Sequence, residues 1–509
     1  MITAFDNTTI FILLIALGIV GWGFYRAQPY GKPGILSWLQ SVVLMAPWLL
    51  FFALAAAGIY LNLASILFLF LTSTGLYIIF GRKLREMAAE DEQQRSQSQA
   101  DFSVQPSEKP SETEEKTPVE SVETPSPSAT SSTETEDKPT PIPQEDLKII
   151  QNIFGIDTFF ATETLPYQEG VIFKGNLRID ADIAYSRLSE NLQQQMGDRF
   201  RLFLVENPEG KPVVIVLPRK NDPQPMTIPQ KVLAIILLVV TIATTFEAGS
   251  LLLGFDFFTE PNRYAQILPI AIGLCSILAS HEIAHQLMAK RHQVKFSWPF
   301  FIPTIQIGTF GAFNRFESIL PNRTVLFDVA LAGPAAGGLL SLAMLLVGLV
   351  LSHPGSLFQV PTEFFQGSVL VGTLARAVLG SALQETIVDV HPLTIIGWLG
   401  LVITAINLMP AGQLDGGRIM QAIYGRKIAG RATLATFIVL AIASLVNSLA
   451  LYWAVVILIL QRNLERPSLN ELTEPDDTRA ALGLLALFLM IATLFPLTPA
   501  IASRLGIGG

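Results

Sequence analysis

The stretch Ser280-His281-Glu282-Ile283-Ala284-His285 lies inside an apolar run over residues 267–289. On a helix, two histidines four residues apart leave the same face one turn from each other. Glu282 follows the first histidine directly, which would place its carboxylate beside a metal held by the pair. This H-E-x-x-H spacing is typical of zinc hydrolases, in which the glutamate serves as general base. Ionisable side chains on a membrane helix usually mark a functional site, which strengthens the prediction.

The composition around this stretch indicates a membrane protein. Half of the 509 residues are hydrophobic and 15% are charged, and several apolar runs approach or exceed the roughly 20 residues that cross a bilayer. We therefore predict a polytopic α-helical membrane protein. The sequence has no basic patch with interleaved aromatic residues, so no nucleic-acid partner is expected. Cys275 is the only cysteine, which excludes an intramolecular disulfide and a cysteine-rich metal site.

The first 85 residues predict three transmembrane helices. One apolar run covers residues 8–25, and residues 42–80 are enough for two crossings with a turn at residues 58–62. Basic residues follow the first and third crossings, so the positive-inside rule puts the N-terminus outside and residue 85 in the cytoplasm. Residues 86–144 are acidic and dominated by Ser, Thr, Pro, Glu and Gln, and we expect them to form a disordered linker.

Residues 145–227 regain globular periodicity and predict a small cytoplasmic α+β domain. Its expected elements are helices at 145–154 and 183–196, a strand at 171–179 and a hairpin of strands 199–205 and 212–217. In the second helix, Ile183, Leu188 and Leu192 should face inward. Nothing in this domain has the spacing of a catalytic set. Binding of a substrate tail, a nucleotide or another subunit is one interpretation, and a purely structural role is the other.

Residues 228–509 are expected to form a membrane-embedded core. Besides the histidine helix, the predicted crossings cover residues 232–253, 325–351 and 393–406, and two later apolar runs cover 433–460 and 480–501. The number of crossings in these last two runs stays open. Residues 368–383 have an amphipathic pattern and could lie on the membrane face. Small residues at 333–338 should let a neighbouring helix approach closely.

Residues 298–316 are too irregular for a spanning helix, because they contain two prolines together with Gly308 and Gly311. We predict a re-entrant, β-like loop or hairpin. Such a segment is stable at membrane depth only where protein or a water-filled cavity receives its backbone polar groups.

A hydrolytic zinc site usually has three protein ligands and an open position for water. The candidates for the third ligand are Asp415, His292, Glu317 and Asp328. Asp415 is favoured because it follows a helix broken by proline and glycine and is surrounded by apolar residues and glycines that could bring its backbone close to a cation. The alternative is an interfacial aspartate that caps the next helix.

The expected chemistry uses Glu282 as the proton acceptor from a water whose pKa zinc lowers to about 7, and then as the proton donor to the leaving amine. Asn407 is a candidate hydrogen-bond donor to the developing oxyanion or to the substrate backbone. An interhelical hydrogen bond is an equally good interpretation of Asn407.

The histidine motif, followed by Leu414-Asp415-Gly416 within an Asn-x-x-Pro stretch, resembles the site-2 protease family of intramembrane zinc metalloproteases. Gly175-Asn176-Leu177-Arg178 is similar to the cyanobacterial and plastid branch, which includes the ethylene-dependent gravitropism-deficient and yellow-green proteases. The resemblance covers about residues 145–500. It implies that His281, His285 and Asp415 bind Zn²⁺ and that Glu282 is catalytic. It also implies that the segment containing Gly308, Gly311 and Phe313 offers an edge strand to an unwound substrate.

The expected function is therefore cleavage of transmembrane protein substrates within the lipid bilayer. The protein would be a multi-pass integral membrane protein of a cyanobacterial plasma or thylakoid membrane, or of a plastid membrane. Two alternatives stay open: a metal-binding membrane transporter, since polar groups on broken helices also mark ion pathways, and a non-proteolytic scaffold. Glu282 favours the enzyme, because a transporter needs no base at that spacing.

Overall fold

The computed structural model describes residue 21, residues 23–56, isolated positions from 73 to 84, and residues 142–507 except 168, 208 and 446. The chain divides into two compact units, Met1–Ser132 and Thr133–Gly509. In the first unit, helix α1 covers Gly31–Ala56. The predicted crossing at residues 8–25, the turn at 58–62 and the linker at 86–144 lie wholly or almost wholly outside the described residues.

The second unit begins with a small α/β layer. Its four-stranded antiparallel sheet has the order β1-β2-β4-β3, and one face packs on helix α3 around the fully buried Phe159, Phe173, Leu188 and Leu204. Its elements are α2 (Gln144–Gln151), β1 (Phe159–Tyr167), β2 (Gly170–Leu177), α3 (Ala181–Met196), β3 (Phe200–Glu206) and β4 (Pro212–Pro218). The predicted helices, the strand near residue 171 and the hairpin are confirmed.

Two details of this layer differ from the prediction. Strand β1 was not predicted, because most of its side chains are exposed or half-buried and it therefore lacks a clear apolar alternation. Ile183 was expected to face inward and is exposed. The buried stripe of α3 runs through Ala184, Leu188, Leu192 and Met196, which are spaced by four residues, and Ile183 falls outside that stripe.

The helical part of this unit follows the predicted order. Its elements are α4 (Ile228–Leu252), α5 (Tyr264–Arg291), β5 (Phe300–Thr304), β6 (Gly308–Phe313), α6 (Arg323–Leu351), β7 (Phe358–Pro361), α7 (Val369–Leu379), β8 (Ile387–Val390), α8 (Pro392–Asn407), α9 (Asp415–Ala443), α10 (Ser448–Val456), α11 (Asp477–Leu494) and α12 (Pro499–Leu505). Within the described part of the chain, four helices are long and apolar enough to cross a membrane: α4, α5 with the turn before it, α6 and α11.

The two C-terminal apolar runs are both interrupted. The run at 433–460 breaks where α9 ends at Ala443, and Asn447 then caps α10 by accepting a hydrogen bond from the backbone N–H of Leu449 at 2.9 Å. The run at 480–501 breaks after Leu494, before the Thr498 side chain caps α12. Each break has a polar cap residue that hydropathy alone does not reveal.

The hairpin of β5 and β6 packs along α4. At its base, the backbone N–H of Met226, just before α4, donates to Glu317 Oε1 at 2.8 Å. At its tip, the hydroxyl of Thr244 donates to the carbonyl of Gly308 at 2.6 Å. Thr244 lies 16 residues after Ile228, so the tip of the hairpin lies about 24 Å along the helix axis from the beginning of α4.

An extended segment before α11 joins the small layer to the helices. The backbone N–H of Leu204, on β3, donates to the carbonyl of Leu469, and the N–H of Glu471 donates to the carbonyl of Leu204. On its other side, Leu469 N–H donates to Leu320, which lies just before α6. The sheet edge at β3 is therefore bonded, through a single strand-like segment, to the beginning of a candidate spanning helix.

Candidate metal centre

Three side chains from two helices meet inside the helical core. The Nε2 atom of His281 lies 3.1 Å from Nε2 of His285 and 3.2 Å from Oδ2 of Asp415. Nε2 of His285 lies 3.4 Å from the same carboxylate oxygen. His285 and Asp415 are buried, and His281 is half-buried. Among the described residues, these three form the group whose ligand atoms converge closely enough to hold one metal ion.

Asp415 reaches the histidines because of the tight turn before α9. A Cβ atom at Gly416 would lie 1.9 Å from the carbonyl oxygen of Leu408, and one at Gly417 would lie 2.3 Å from that of Gly412. The two glycines therefore let α9 begin directly against the preceding turn. Asp415 does not cap α9 itself, since the N-cap position belongs to Leu414.

Helix α6 closes the site from another side. A Cβ atom at Gly333 would lie 2.2 Å from Nε2 of His285, and one at Gly337 would lie 3.1 Å from Cβ of His281. The predicted role of the small residues at 333–338 is confirmed, and the neighbour that they admit is the histidine face of α5. The close approach also lets the carbonyl of Val329 accept a hydrogen bond from Nδ1 of His285 at 2.7 Å.

The donor set fits zinc. Ligand atoms about 2.0–2.1 Å from a tetrahedral zinc lie about 3.3–3.4 Å apart, close to the 3.1–3.4 Å found among the three atoms. Because Nδ1 of His285 donates to a carbonyl, its Nε2 carries a lone pair when the ring is neutral. This lone pair faces a carboxylate oxygen, and the two repel each other unless a positive charge lies between them. The donor set is therefore suited to a bound cation.

The other three candidates for the third ligand lie elsewhere. His292 and Asp328 form a pair, with Nε2 at 3.0 Å from Oδ2, and Arg479 donates to both oxygens of that carboxylate at 2.7 and 3.0 Å. Glu317 accepts the hydrogen bond from Met226 at the base of the hairpin. None of the three contributes to the group of converging ligand atoms among the described residues.

Glu282 is buried and oriented by a chain of polar side chains. Its Oε2 accepts a hydrogen bond from Nδ2 of Asn314 at 2.7 Å. The carbonyl of Asn314 in turn accepts from Arg418 Nη2 at 2.5 Å, and Arg418 pairs with Glu465 at 2.9 Å. All four residues are buried. This chain runs from the H-E-x-x-H helix through the end of the hairpin to α9 and the segment after α10.

Asn314, Arg418 and Glu465 were missed in the sequence. Arg418 carried a usable signal, because a charged residue three positions after Asp415 on an apolar helix needs a partner at membrane depth. The sequence offered little indication of a role for Asn314, since a single asparagine after a strand is usually a turn residue.

Asn407 fastens the hairpin to α8. Its Nδ2 donates to the carbonyls of Phe310 at 2.9 Å and Ile403 at 2.8 Å, so both amide hydrogens are engaged. Gly311 has a φ of +103°, and a Cβ there would lie 2.4 Å from the same amide. The residues of the predicted substrate strand, Gly308, Gly311 and Phe313, all belong to β6.

Two family models match the chain. Residues 269–447 match "Peptidase family M50", a range that contains the converging histidines and aspartate. Residues 148–225 match "EGY3 middle domain", which corresponds to the small α/β layer.

Several curated proteins are similar over most of this length. "Probable zinc metalloprotease EGY1, chloroplastic" from Arabidopsis thaliana is 39% identical over 71% of this chain and 73% of its own. "Probable zinc metalloprotease EGY2, chloroplastic" from the same plant is 39% identical over 70% of this chain and 65% of its own. "Probable zinc metallopeptidase EGY3, chloroplastic" is 33% identical over 69% of this chain and 65% of its own. No solved structure matches the chain.

Proposed function

This chain belongs to peptidase family M50, and from that premise we propose that it is a zinc-dependent intramembrane endopeptidase that cleaves transmembrane segments of other proteins. The observation that carries the proposal is the convergence of His281, His285 and Asp415 within 3.1–3.4 Å of one another. Zinc would be held by these three residues. Bound zinc supplies a Lewis acid that lowers the pKa of its water to about 7 and polarises a peptide carbonyl.

The site would act below the membrane surface. His281 lies ten residues before Arg291, the last residue of α5, and therefore about 15 Å from that end of a candidate spanning helix. The hairpin, which extends along α4 as far as Thr244, would be re-entrant. Its backbone groups would then be satisfied by protein, as the bonds from Thr244 and Asn407 to its carbonyls illustrate.

Glu282 would be the general base and then the general acid. Asn314 donates to one carboxylate oxygen, which leaves the other free to take the proton of the attacking water and to return it to the leaving amine. Arg418 and Glu465 would act as positioning residues, because Arg418 donates to the backbone carbonyl of Asn314 and Glu465 pairs with Arg418.

A helical substrate must unwind before hydrolysis, since its carbonyls are already hydrogen-bonded within the helix. Strand β6, with Gly308, Gly311 and Phe313, would bind the unwound segment by strand addition. The carbonyl of Phe310 already accepts from Asn407, yet a carbonyl oxygen has two lone pairs and can accept a second bond. Asn407 would therefore hold β6 in place for the substrate and would not bind an oxyanion.

We also propose a role for each of four segments of the chain. Residues 1–85 would anchor the protein by three helices, residues 86–144 would be a linker, residues 145–227 a soluble domain and residues 228–509 the protease core. By similarity to relatives named chloroplastic, the protein would be a multi-pass protein of a plastid membrane or of a cyanobacterial membrane.

The test is Glu282→Gln in the full chain, reconstituted with a single-span model substrate that contains helix-breaking residues. We expect cleavage to fall by roughly 10²–10⁴-fold while one zinc per chain is retained. Glu363→Gln, at an exposed glutamate of the loop after β7, is the matched control and should cleave normally. Full cleavage by Glu282→Gln would refute the assigned role. Zinc uptake into proteoliposomes without any cleavage by the wild type would favour the transporter instead.

A further inference from the structure

Two adjoining cavities lie where the small α/β layer meets the helical core. One has a volume of about 200 Å³ and the other about 430 Å³. They share four lining residues, Pro223, Gln224, Ser318 and Ile319, and therefore form one groove. The loop before α4, the loop after β6 and the segment after α10 supply most of its walls.

The inner end of this groove is close to the proposed catalytic residues. It is lined by Arg315, which follows Asn314 directly, and by Gln413, two residues before Asp415. Two residues span at most about 7 Å. Glu465, the end of the chain of side chains that orients Glu282, lines the same wall.

The groove also lies beside the ends of the candidate spans. Its lining residue Gln224 is four positions before α4, and Leu320 is three positions before α6. A polypeptide that is unwound at the metal centre and continues out of the membrane on this side would enter the groove.

The charges of the lining are unbalanced. Five basic and three acidic residues contribute: Arg201, Arg219, Lys295, Arg315 and Arg466, with Asp222, Glu317 and Glu465. Each acidic side chain is already bonded, Asp222 to Arg201, Glu465 to Arg418 and Glu317 to the backbone of Met226. Among the described residues, Lys295, Arg315 and Arg466 pair with no carboxylate, and Nε of Arg315 is buried without a hydrogen-bond partner.

We propose that this groove binds the extramembrane flank of the substrate, as an extended segment that carries Asp or Glu residues next to its transmembrane helix. The proposal rests on the proposed protease function and adds a substrate class to it. It also gives the small α/β layer a role, since Arg201 of β3 and Arg219 line the outer part of the groove.

The first experiment is a charge swap. Two model substrates share one transmembrane segment and differ in a flank of Asp and Ser or of Lys and Ser. Wild-type protein should show a lower KM for the acidic flank, and Lys295→Glu with Arg466→Glu should raise that KM by roughly tenfold and lower the KM for the basic flank. The control Arg291→Glu reverses an exposed charge at the end of α5, outside the groove, and should keep the wild-type preference.

The second experiment locates the flank directly. Ile319→Cys is placed in a Cys275→Ser background that also carries Glu282→Gln, and the substrate has one cysteine in its flank. Oxidation should join the two cysteines. The control Ile156→Cys, at an exposed position of the small layer, should form no cross-link.

The outcomes separate the two proposals. Cleavage of neither substrate by the wild type would refute the protease function. Equal KM values for both flanks in the wild type and in the charge-reversed variant, with no cross-link at residue 319, would refute the groove alone. If vesicles of anionic lipid raise cleavage of both substrates equally and the charge reversal removes that effect, the groove binds lipid headgroups and the substrate proposal is wrong.

Discussion

Two histidine–aspartate pairs, one with His281 of α5 and one with His292 directly after that helix, have similar distances and differ in the third group that contacts the carboxylate. Nε2 of His281 lies 3.2 Å from Asp415, and Nε2 of His292 lies 3.0 Å from Asp328. In the second pair, Arg479 donates to both carboxylate oxygens. In the first pair, the next neighbour is the second histidine, His285.

The difference shows how a buried carboxylate is balanced. Asp328 has a permanent cation beside it, so that cluster is complete and serves to join α5, α6 and α11. Among the described residues, the groups within hydrogen-bond distance of Asp415 Oδ2 are imidazole nitrogens, and a buried anion without a cation is strongly unfavourable. The first site is therefore an open site that needs an ion, and the second is a closed structural contact.

The largest expected effect comes from removing each carboxylate in turn. Asp415→Asn should lose zinc and all measurable cleavage, because two imidazoles alone are too few ligands for a hydrolytic zinc site. Asp328→Asn should keep both zinc and activity while lowering the melting temperature, because Arg479 loses its ion pair. Metal analysis and thermal unfolding of the two variants measure this difference, and equal zinc content in both would contradict the distinction.

Gly333→Ala tests whether the open site depends on the close approach of α6. The new Cβ would lie 2.2 Å from Nε2 of His285, so we expect a large loss of zinc affinity. Gly338→Ala, in the same helix, would place its Cβ 3.4 Å from the nearest atom, on Thr404, and should bind zinc like the wild type. Zinc titration distinguishes them, and unchanged affinity in Gly333→Ala would show that α6 does not confine the ligands.

A smaller effect is expected from Asn314→Leu, which removes the hydrogen bond to Glu282 but no metal ligand. We expect kcat to fall by roughly 10–100-fold with little change in KM, and zinc content to stay at the wild-type level. Asn470→Leu removes a different buried amide, which donates to Asp182 and Thr473, and should affect stability alone. A rise in KM without a fall in kcat for Asn314→Leu would argue against a positioning role.

The smallest effect should follow Arg479→Gln, which opens the closed cluster. The pair is partly exposed, so the loss of stability should be about 1 kcal/mol. His292 and Asp328 would then lack their cation, but no second histidine converges on them, and we expect no additional zinc. A second equivalent of bound zinc in this variant would mean that removal of the arginine is enough to create a site.

The sequence predicted the part of the site that depends on local spacing. The two histidines and Glu282 follow from a helical repeat within one element. From the residues alone, Asp415 was favoured among four candidates for the third ligand. Its contact with His281 could not be derived from local spacing, because the two residues lie 134 positions apart and only the packing of separate elements brings them together. Asn314 could not be predicted, since its function depends on hydrogen bonds between separate elements. Arg418 could be recognised as a charge that needs a partner, but the sequence did not show which partner.

For the fold, too, features that depend on local sequence patterns were predicted and features that depend on single residues or on packing were not. Long apolar runs predicted the candidate spanning helices α4, α5 and α6, whereas α8, predicted as a crossing, has 16 residues and is not among the four candidates in the described part of the chain. The breaks in the C-terminal runs were left open because they depend on single cap residues such as Asn447. The prediction for Ile183 was wrong because the buried residues of α3 follow a four-residue spacing that begins at Ala184, and Ile183 falls outside it.

The most direct measurement of the central claim is X-ray absorption at the zinc edge of the purified, inactive Glu282→Gln protein. A zinc ion held by His281, His285 and Asp415 predicts a first shell of nitrogen and oxygen at about 2.0–2.1 Å, with the outer-shell scattering of two imidazoles, which disappears together with the metal in His285→Ala. A first shell with fewer than two imidazoles, or a spectrum that survives in His285→Ala, would contradict the account.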